Sequence, residues 1–266
     1  MATAGGRTAL ITGATAGIGA AFAHALAAQG YDLVLVARDE ARLAAFADEL
    51  GRRYGIRPAP LPADLSTDEG CARVEARLTW ADQPVDALIN NAGIALNRPF
   101  LRSTVQDEER LLRLNVHAVL RLTLAAVPGM LQRGRGDVVN VSSVAGFAPG
   151  AGSTYSATKA WVTNFSQSVG QVTRARGVRV MALCPGYTRT EFHQRAGIDT
   201  ARIPNGLWLD ADAVVSSGLR DLRKGKLVSV PDWRYKAIVA LARYAPRGLV
   251  DRVGGAVNRR TRRDRG

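Results

Sequence analysis

From Arg7 to about Val230, short apolar runs rich in branched residues alternate with longer segments whose apolar positions recur every three to four residues. The short runs predict strands at Thr8 to Thr12, Leu33 to Ala37, Ile56 to Leu61, Ala87 to Asn90, Asp137 to Val141, Val178 to Cys184 and Leu227 to Val230. The amphipathic segments predict helices near 17–29, 39–53, 66–79, 104–131, 154–176 and 210–223. Strands that read as unbroken apolar runs are covered on both faces, and their alternation with helices is the pattern of βαβ units. The fold class is therefore α/β: a doubly wound parallel sheet of about seven strands with helices on both faces. No repeat, low-complexity tract or linker interrupts the pattern, so residues 1–266 read as one domain. Beyond Pro231 the chain changes to a basic, amphipathic, helical extension, in which Tyr235, Ile238, Val239 and Ala242 share one face before Pro246 breaks it.

Composition narrows the class. With 47% hydrophobic and 22% charged residues over 266 positions, the chain can bury a full core. Cys71 and Cys184 are far apart and have no CxxC or histidine setting, so neither a disulfide framework nor a metal site is expected. A reducing, cytoplasmic location is the simplest one. The start lacks a basic segment followed by a long apolar one, and no stretch reads as the roughly 18 consecutive apolar residues of a spanning helix. The net charge of +13 is uneven, since residues 202–266 hold 15 Lys/Arg against 6 Asp/Glu. That excess permits an anionic partner without choosing one. Trp233, Tyr235, Ile238 and Leu241 amid basic residues can pack on the sheet or on a second subunit of a homo-oligomer, the reading we favour, or rest peripherally on the inner membrane face. Nucleic acid is not expected, because no aromatic residues are interleaved with the Arg259 to Arg265 cluster.

The first strand runs into Thr12-Gly13-Ala14-Thr15-Ala16-Gly17-Ile18-Gly19 and then an Ala-rich helix. This is a phosphate-binding turn of Rossmann-like type. Gly13 can take backbone angles closed to other residues, Gly17 lets the main chain approach a pyrophosphate, and Gly19 allows close helix packing. The helix N-terminus then offers free amides to the phosphates.

The GxxxGxG spacing resembles that of the short-chain dehydrogenase/reductase family, and the resemblance continues in order along the chain. Asp64-Leu65 follows the third strand, where the family sets an Asp against the adenine. Asn90-Asn91-Ala92-Gly93 matches its NNAG motif, and Asn115 its structural asparagine. Tyr155 and Lys159 form its YxxxK, and Pro185-Gly186 with Thr188 and Thr190 its PGxxxT turn against the nicotinamide amide. The matched motifs span residues 8–190, and the C-terminal extension is similar to that of a bacterial branch related to fatty acyl and steroid ketone reductases. Singly, Asp64 also reads as a helix N-terminal carboxylate, Asn115 as a core amide holding a kink, and Pro185-Gly186 as an ordinary turn.

At the end of the second strand stand Ala37 and Arg38 where an NAD enzyme carries a carboxylate. A guanidinium fork suits a 2′-phosphate, so the expected cofactor is NADP(H). Tyr155 and Lys159, at i and i+4, share a helix face. A cation at roughly 4 Å in an effective dielectric near 20 contributes up to about 4 kcal/mol, which predicts a phenol lowered by about three units, near working pH. The resemblance makes Tyr155 the proton donor in reduction, Lys159 its neighbour that also holds the ribose, and Asn115 the anchor of a proton-relay water. A serine, Ser142 or Ser143, completes the set. The family's spacing to the tyrosine favours Ser142, but the sequence around the strand end favours Ser143, with one residue deleted in the loop 147–154.

Ile94, Ala95, Val144, Phe147, Tyr187 and Phe192 are the expected substrate-side residues, and they suit a hydrophobic ketone or aldehyde; His193 reads as exposed lid. The rival readings are a non-catalytic NADP sensor and an epimerase or dehydratase on the same scaffold.

Overall fold

The computed structural model describes residues 6–96, 98, 100–149, 154–197 and 203–244. Seven parallel strands form one sheet in the order β3-β2-β1-β4-β5-β6-β7. They are β1 Thr8–Thr12, β2 Asp32–Ala37, β3 Ala59–Pro62, β4 Ala87–Asn90, β5 Gly136–Val141, β6 Val178–Leu183 and β7 Val228–Ser229. Successive strand residues serve opposite faces. Ala9, Ile11, Leu33, Leu35 and Val139 pack with helices α1 (Gly17–Ala27), α2 (Glu40–Tyr54) and α8 (Ala211–Arg223). Leu10, Val34, Val36, Leu88 and Val138 pack instead with α3 (Asp68–Leu78) and α5 (Ala118–Gln132). The expected fold class is thus the observed one.

Helix starts follow local chemistry. The side chains of Asp39, Thr67, Thr104 and Asp210 accept first-turn amides at the heads of α2, α3, α4 (Val105–Leu112) and α8. Gly55, at φ +67, ends α2 in the left-handed region.

Several expected boundaries move. The third strand starts at Ala59, not Ile56, because α2 runs to Tyr54 before Gly55 turns the chain. It is an edge strand and only partly covered, unlike the buried run expected. The last strand shrinks to two residues on the opposite edge. The long helix expected at 104–131 is present, but a π turn at Arg113–His117 joins α4 to α5 around buried Asn115. Contrary to expectation, this run, Val105–Gln132, is long and apolar enough to cross a membrane by length and composition. Leu111, Ala118, Leu122, Ala126 and Met130 are buried in the protein, and Arg121 pairs with Glu75 and Asp68 of α3, so it reads as a core helix that carries paired charges.

Helix α9 (Trp233–Tyr244) carries the start of the basic extension. Tyr235 and Val239 are buried, whereas Ile238, expected on the same face, is 47% exposed along with Trp233 and Leu241. Among the described side chains of α9, the buried stripe is therefore the narrow i, i+4 pair. The side chain of Ala242, Pro246 and the Arg259 to Arg265 cluster lie outside the described residues.

Candidate active site

β1 and β4 are neighbours in the sheet, and the chain crosses over in opposite directions on either side of them. Such a switch point opens a crevice beyond the carboxyl ends of the strands. The glycine turn lies at that end of β1. Gly13 and Gly17 have φ of +63° and +54°, so both need the freedom of glycine. Thr12 and Asn91 fasten the turn to β4: Thr12 Oγ1 accepts from the Asn91 and Ala92 amides at 2.9 and 3.0 Å, and Asn91 Nδ2 donates to the Thr12 and Gly13 carbonyls at 3.0 and 3.1 Å. A Cβ at Gly19 would lie 2.2 Å from the Gly13 carbonyl oxygen, so the constraint is contact with the turn itself as much as with the sheet. A Cβ at Gly17 would meet Thr190 at 2.7 Å. The sequence reading of Gly17 as room for a pyrophosphate thus omits a protein neighbour.

Ala16, at the head of α1, has no polar side chain to take the first-turn amides, which leaves them for an anion. Beside them is a cavity of about 460 Å³. It is lined by Gly13, Thr15, Ala16, Arg38, Asp64, Leu65, Ala92, Gly93 and Ile94, together with Asp39, Arg42 and Arg195. Ile18 packs its side chain on the adjoining core instead. Asp39 Oδ1 accepts from the Arg42 amide at 2.9 Å, so that carboxylate is engaged as a helix cap. Asp64 Oδ1 accepts from the Ser66 amide and hydroxyl at 2.9 and 2.7 Å. Burial alone would raise this carboxyl, but the Ser66 hydrogen bonds and the charges of Arg38 and Arg110 leave it below its ordinary value. A cradle of positive-φ glycines, open amides and a guanidinium suits an elongated, phosphate-bearing group.

Arg42 was not singled out by the sequence. It forms a two-pronged pair with Glu191 at 3.0 and 2.6 Å and donates to the Thr15 carbonyl at 3.0 Å. Glu191 also pairs with Arg195 in α7 (Glu191–Arg195). Residues 149 apart in sequence thus tie the glycine turn to the segment after β6. Only the basic character of Arg42, one turn after Arg38, could have hinted at it.

On the other side of the crevice stands α6 (Tyr155–Thr173). Ser142 is turned into the core, where its hydroxyl donates to the Lys159 carbonyl at 2.7 Å and shares a hydrogen bond with Thr163. Ser143 is only half-buried; its Oγ accepts from the Ala145 amide at 3.1 Å and is hydrogen-bonded to Tyr155. Lys159 Nζ lies 5.7 Å from the centre of the Tyr155 ring and donates to the Val141 carbonyl at 2.8 Å. Burial pushes the lysine down to about 8.

The expected lowering of Tyr155 is not found. Burial of its hydroxyl pushes the phenol up to about 12, opposed by the Ser143 hydrogen bond. The ammonium is engaged with a backbone carbonyl, and desolvation is the largest influence on the phenol.

Asn115 holds rather than faces the site. Its Oδ1 accepts from the Ile94 amide and its Nδ2 donates to the Ile94 carbonyl, both at 2.9 Å, with Thr158 at 3.3 Å. Gly93 lies between Asn115 and Lys159, since a Cβ there would be 3.2 Å from Asn115 Oδ1 and 3.6 Å from Lys159 Nζ.

The loop after β6 closes the crevice. Thr188 Oγ1 donates to the Gly186 carbonyl at 3.1 Å, and Thr190 caps α7 by accepting from the Phe192 amide. Pro185 anchors the neighbouring turn by accepting from the Val144 amide at 3.0 Å. Phe192 lies 6.0 Å from Tyr155, ring to ring, and Tyr187, His193 and Trp208 continue an aromatic wall with spacings of 5.2 to 5.9 Å. Val144 and Phe147 form part of the facing turn and pack on the core. His193 is not exposed lid: it is half-buried, its Nδ1 is enclosed, and burial lowers its pKa.

Residues 7–200 match the family model described as short chain dehydrogenase. The chain belongs to the short chain dehydrogenase family. Its members are oxidoreductases that interconvert CH–OH groups and carbonyls, and so does this chain. The fold matches a short-chain dehydrogenase from Sphingobium yanoikuyae in complex with NADPH, with 40% identity and a TM-score of 0.82 over 92% of this chain and 95% of that one. The bulky-bulky ketone specific alcohol dehydrogenase from Comamonas testosteroni is 34% identical, with a TM-score of 0.77 over 92% and 94%. Among curated relatives, the 3-oxoacyl-(acyl-carrier-protein) reductase FabG of Aquifex aeolicus is 32% identical over 188 residues, 70% of this chain and 76% of the relative. The chain spans only about half, 52% and 53%, of the fungal very-long-chain 3-oxoacyl-CoA reductases it also matches.

Proposed function

We propose that this short-chain dehydrogenase uses NADP(H) to reduce a hydrophobic ketone or aldehyde, with Tyr155 as proton donor. The observation that carries the reading is Tyr155, its hydroxyl hydrogen-bonded to Ser143 and its ring centre 5.7 Å from the Lys159 ammonium and 6.0 Å from the Phe192 ring. The nicotinamide, when bound, supplies the hydride. Ser143 donates a hydrogen bond to the carbonyl oxygen and fixes it beside the phenol. Tyr155 then gives its proton to that oxygen as negative charge grows there. A phenol raised to about 12 stays protonated at neutral pH, which is the state a donor in reduction needs. Lys159, charged below about 8, steadies the phenolate left behind. Reductive turnover should therefore fall as pH rises through about 8, while the oxidative direction, which needs phenolate, should gain with pH.

NADP(H) is supported by Arg38 in the cavity wall, by the engagement of Asp39 with Arg42, and by the NADPH complex of the Sphingobium relative. A bulky apolar substrate is supported by the wall of Phe192, Tyr187 and Trp208, and by the ketone named for the Comamonas relative. Retention of both Tyr155 and Lys159 weighs against a non-catalytic sensor.

The test is a panel of acyl, steroid and aromatic ketones read by NADPH absorbance, with Arg38→Asp in parallel. Bulky apolar ketones should consume NADPH one-for-one with alcohol formed, and Arg38→Asp should cut the preference for NADPH over NADH by about 10- to 100-fold. Conversion without net NADPH consumption would point to an epimerase or dehydratase, and an unchanged preference would remove Arg38 from the account.

A further inference from the structure

Residues 187–189 and 207–209 run side by side as a short parallel ladder. The Leu209 amide donates to the Tyr187 carbonyl at 2.8 Å, and the Arg189 amide donates to the Leu209 carbonyl at 2.9 Å. Continued by one rung, the same pattern would join the Tyr187 amide to the Leu207 carbonyl. That rung is filled by a side chain from a distant helix. The Tyr235 hydroxyl of α9 accepts from the Tyr187 amide at 3.0 Å and donates to the Leu207 carbonyl at 2.7 Å. Its ring lies flat against the turn before the ladder, where a Cβ on Gly186 would sit 2.0 to 2.3 Å from three ring carbons. Tyr235 is 3% exposed, and nothing in the proposed chemistry uses it.

The ladder joins the segment that follows the Gly186 turn to the segment that carries Trp208. Tyr187 and Trp208 belong to the aromatic wall, and Gly186 and Thr188 to the turn expected against the nicotinamide. We propose that Tyr235 is a positioning residue: its hydroxyl is the third rung that holds the nicotinamide turn and the substrate wall in register. The proposal rests on the cofactor reading above. It gives the C-terminal extension a role in the active site, through a hydroxyl that touches neither reacting partner.

Tyr235→Phe keeps the ring and removes both hydrogen bonds, leaving a buried donor and acceptor to find other partners. The measurement is the affinity for NADPH beside that for 2′,5′-ADP, which has the adenine half and no nicotinamide. Tyr235→Phe should weaken NADPH about 10-fold and raise the ketone KM, while 2′,5′-ADP changes less than about 2-fold. Val239→Ala, which loosens α9 without touching the hydroxyl, should lower Tm and leave the ratio of the two affinities unchanged. Equal shifts for both ligands in Tyr235→Phe, or a ratio shifted as much by Val239→Ala, would overturn the proposal. A measurement on the wild type stands independently of any variant: the Tyr187 amide should exchange with deuterium as slowly as the sheet amides, and exchange at the rate of an open loop would overturn it. Failure of the cofactor reading appears separately, as a wild type that binds neither NADPH nor 2′,5′-ADP, and the Tyr187 exchange rate then decides.

Discussion

At the scale of single residues, two adjacent serines have opposite surroundings. Ser142 is 3% exposed and bonded to the Lys159 carbonyl and Thr163, while Ser143 meets the Tyr155 phenol. Ser143→Ala should lower kcat/KM by about 100-fold or more with Tm nearly unchanged. Ser142→Ala should instead cost about 1–3 kcal/mol of stability, read from denaturant midpoints, with a smaller effect on turnover. Equal kinetic losses would contradict the division. Lys159 gives a second contrast, between stability and function. Burial lowers it from its ordinary 10.5 to about 8. Between those values the unfolded chain holds a proton that the folded chain has lost, so this group makes stability rise with pH across that window. Lys159→Met should flatten that rise and stabilise the fold at neutral pH by on the order of 1–3 kcal/mol, while abolishing activity. That Tyr155 and Lys159 lie on one helix face was legible from their i, i+4 spacing. The direction of the phenol's shift was not, because it depends on how deeply the hydroxyl is enclosed and on the Val141 carbonyl that holds the ammonium.

At the scale of elements, the signals that worked were local ones. β1, the glycine turn and α1 follow from an apolar run, two residues that need positive φ, and an alanine-rich periodic segment. β3 was extended too far because Ile56 looks like a strand residue, although Gly55 and Pro58 place it in the connection. The π turn around Asn115 leaves no mark in periodicity, since five residues of irregular winding inside a long apolar helix keep its stripe nearly continuous. Its purpose is visible in the two hydrogen bonds to Ile94. Asn115→Ala should leave that amide and carbonyl unpaired, lower stability by about 2 kcal/mol, and release the segment that carries Gly93 and Ile94. Amide exchange at Ile94 is the check: unaltered protection in the variant would mean that the side chain does not hold the segment. The Arg42–Glu191 pair and the Tyr235 rung lay beyond sequence reasoning for a common reason, because each joins segments far apart in the chain.

At the scale of the whole molecule, the order β3-β2-β1-β4-β5-β6-β7 brings the glycine turn, the Tyr155 helix and the loop after β6 to one end of the sheet. The alternation of strands and helices made a doubly wound parallel sheet legible, but not the order of its strands. The fate of the extension was half legible: its amphipathic character predicted packing, but not that Tyr235 would reach the mouth of the site. A net charge of +13 should also draw in a polyanionic dinucleotide. The association rate of NADPH should fall by roughly 10-fold or more from low to high ionic strength, in stopped-flow fluorescence, with the dissociation rate changing far less. The most direct test of the central claim is the rate of NADPH oxidation by a bulky aromatic ketone under single-turnover conditions, in wild type and in Tyr155→Phe. The account predicts a loss of about 100- to 10,000-fold with NADPH affinity and Tm retained. A folded Tyr155→Phe protein that reduces the ketone at the wild-type rate would contradict it.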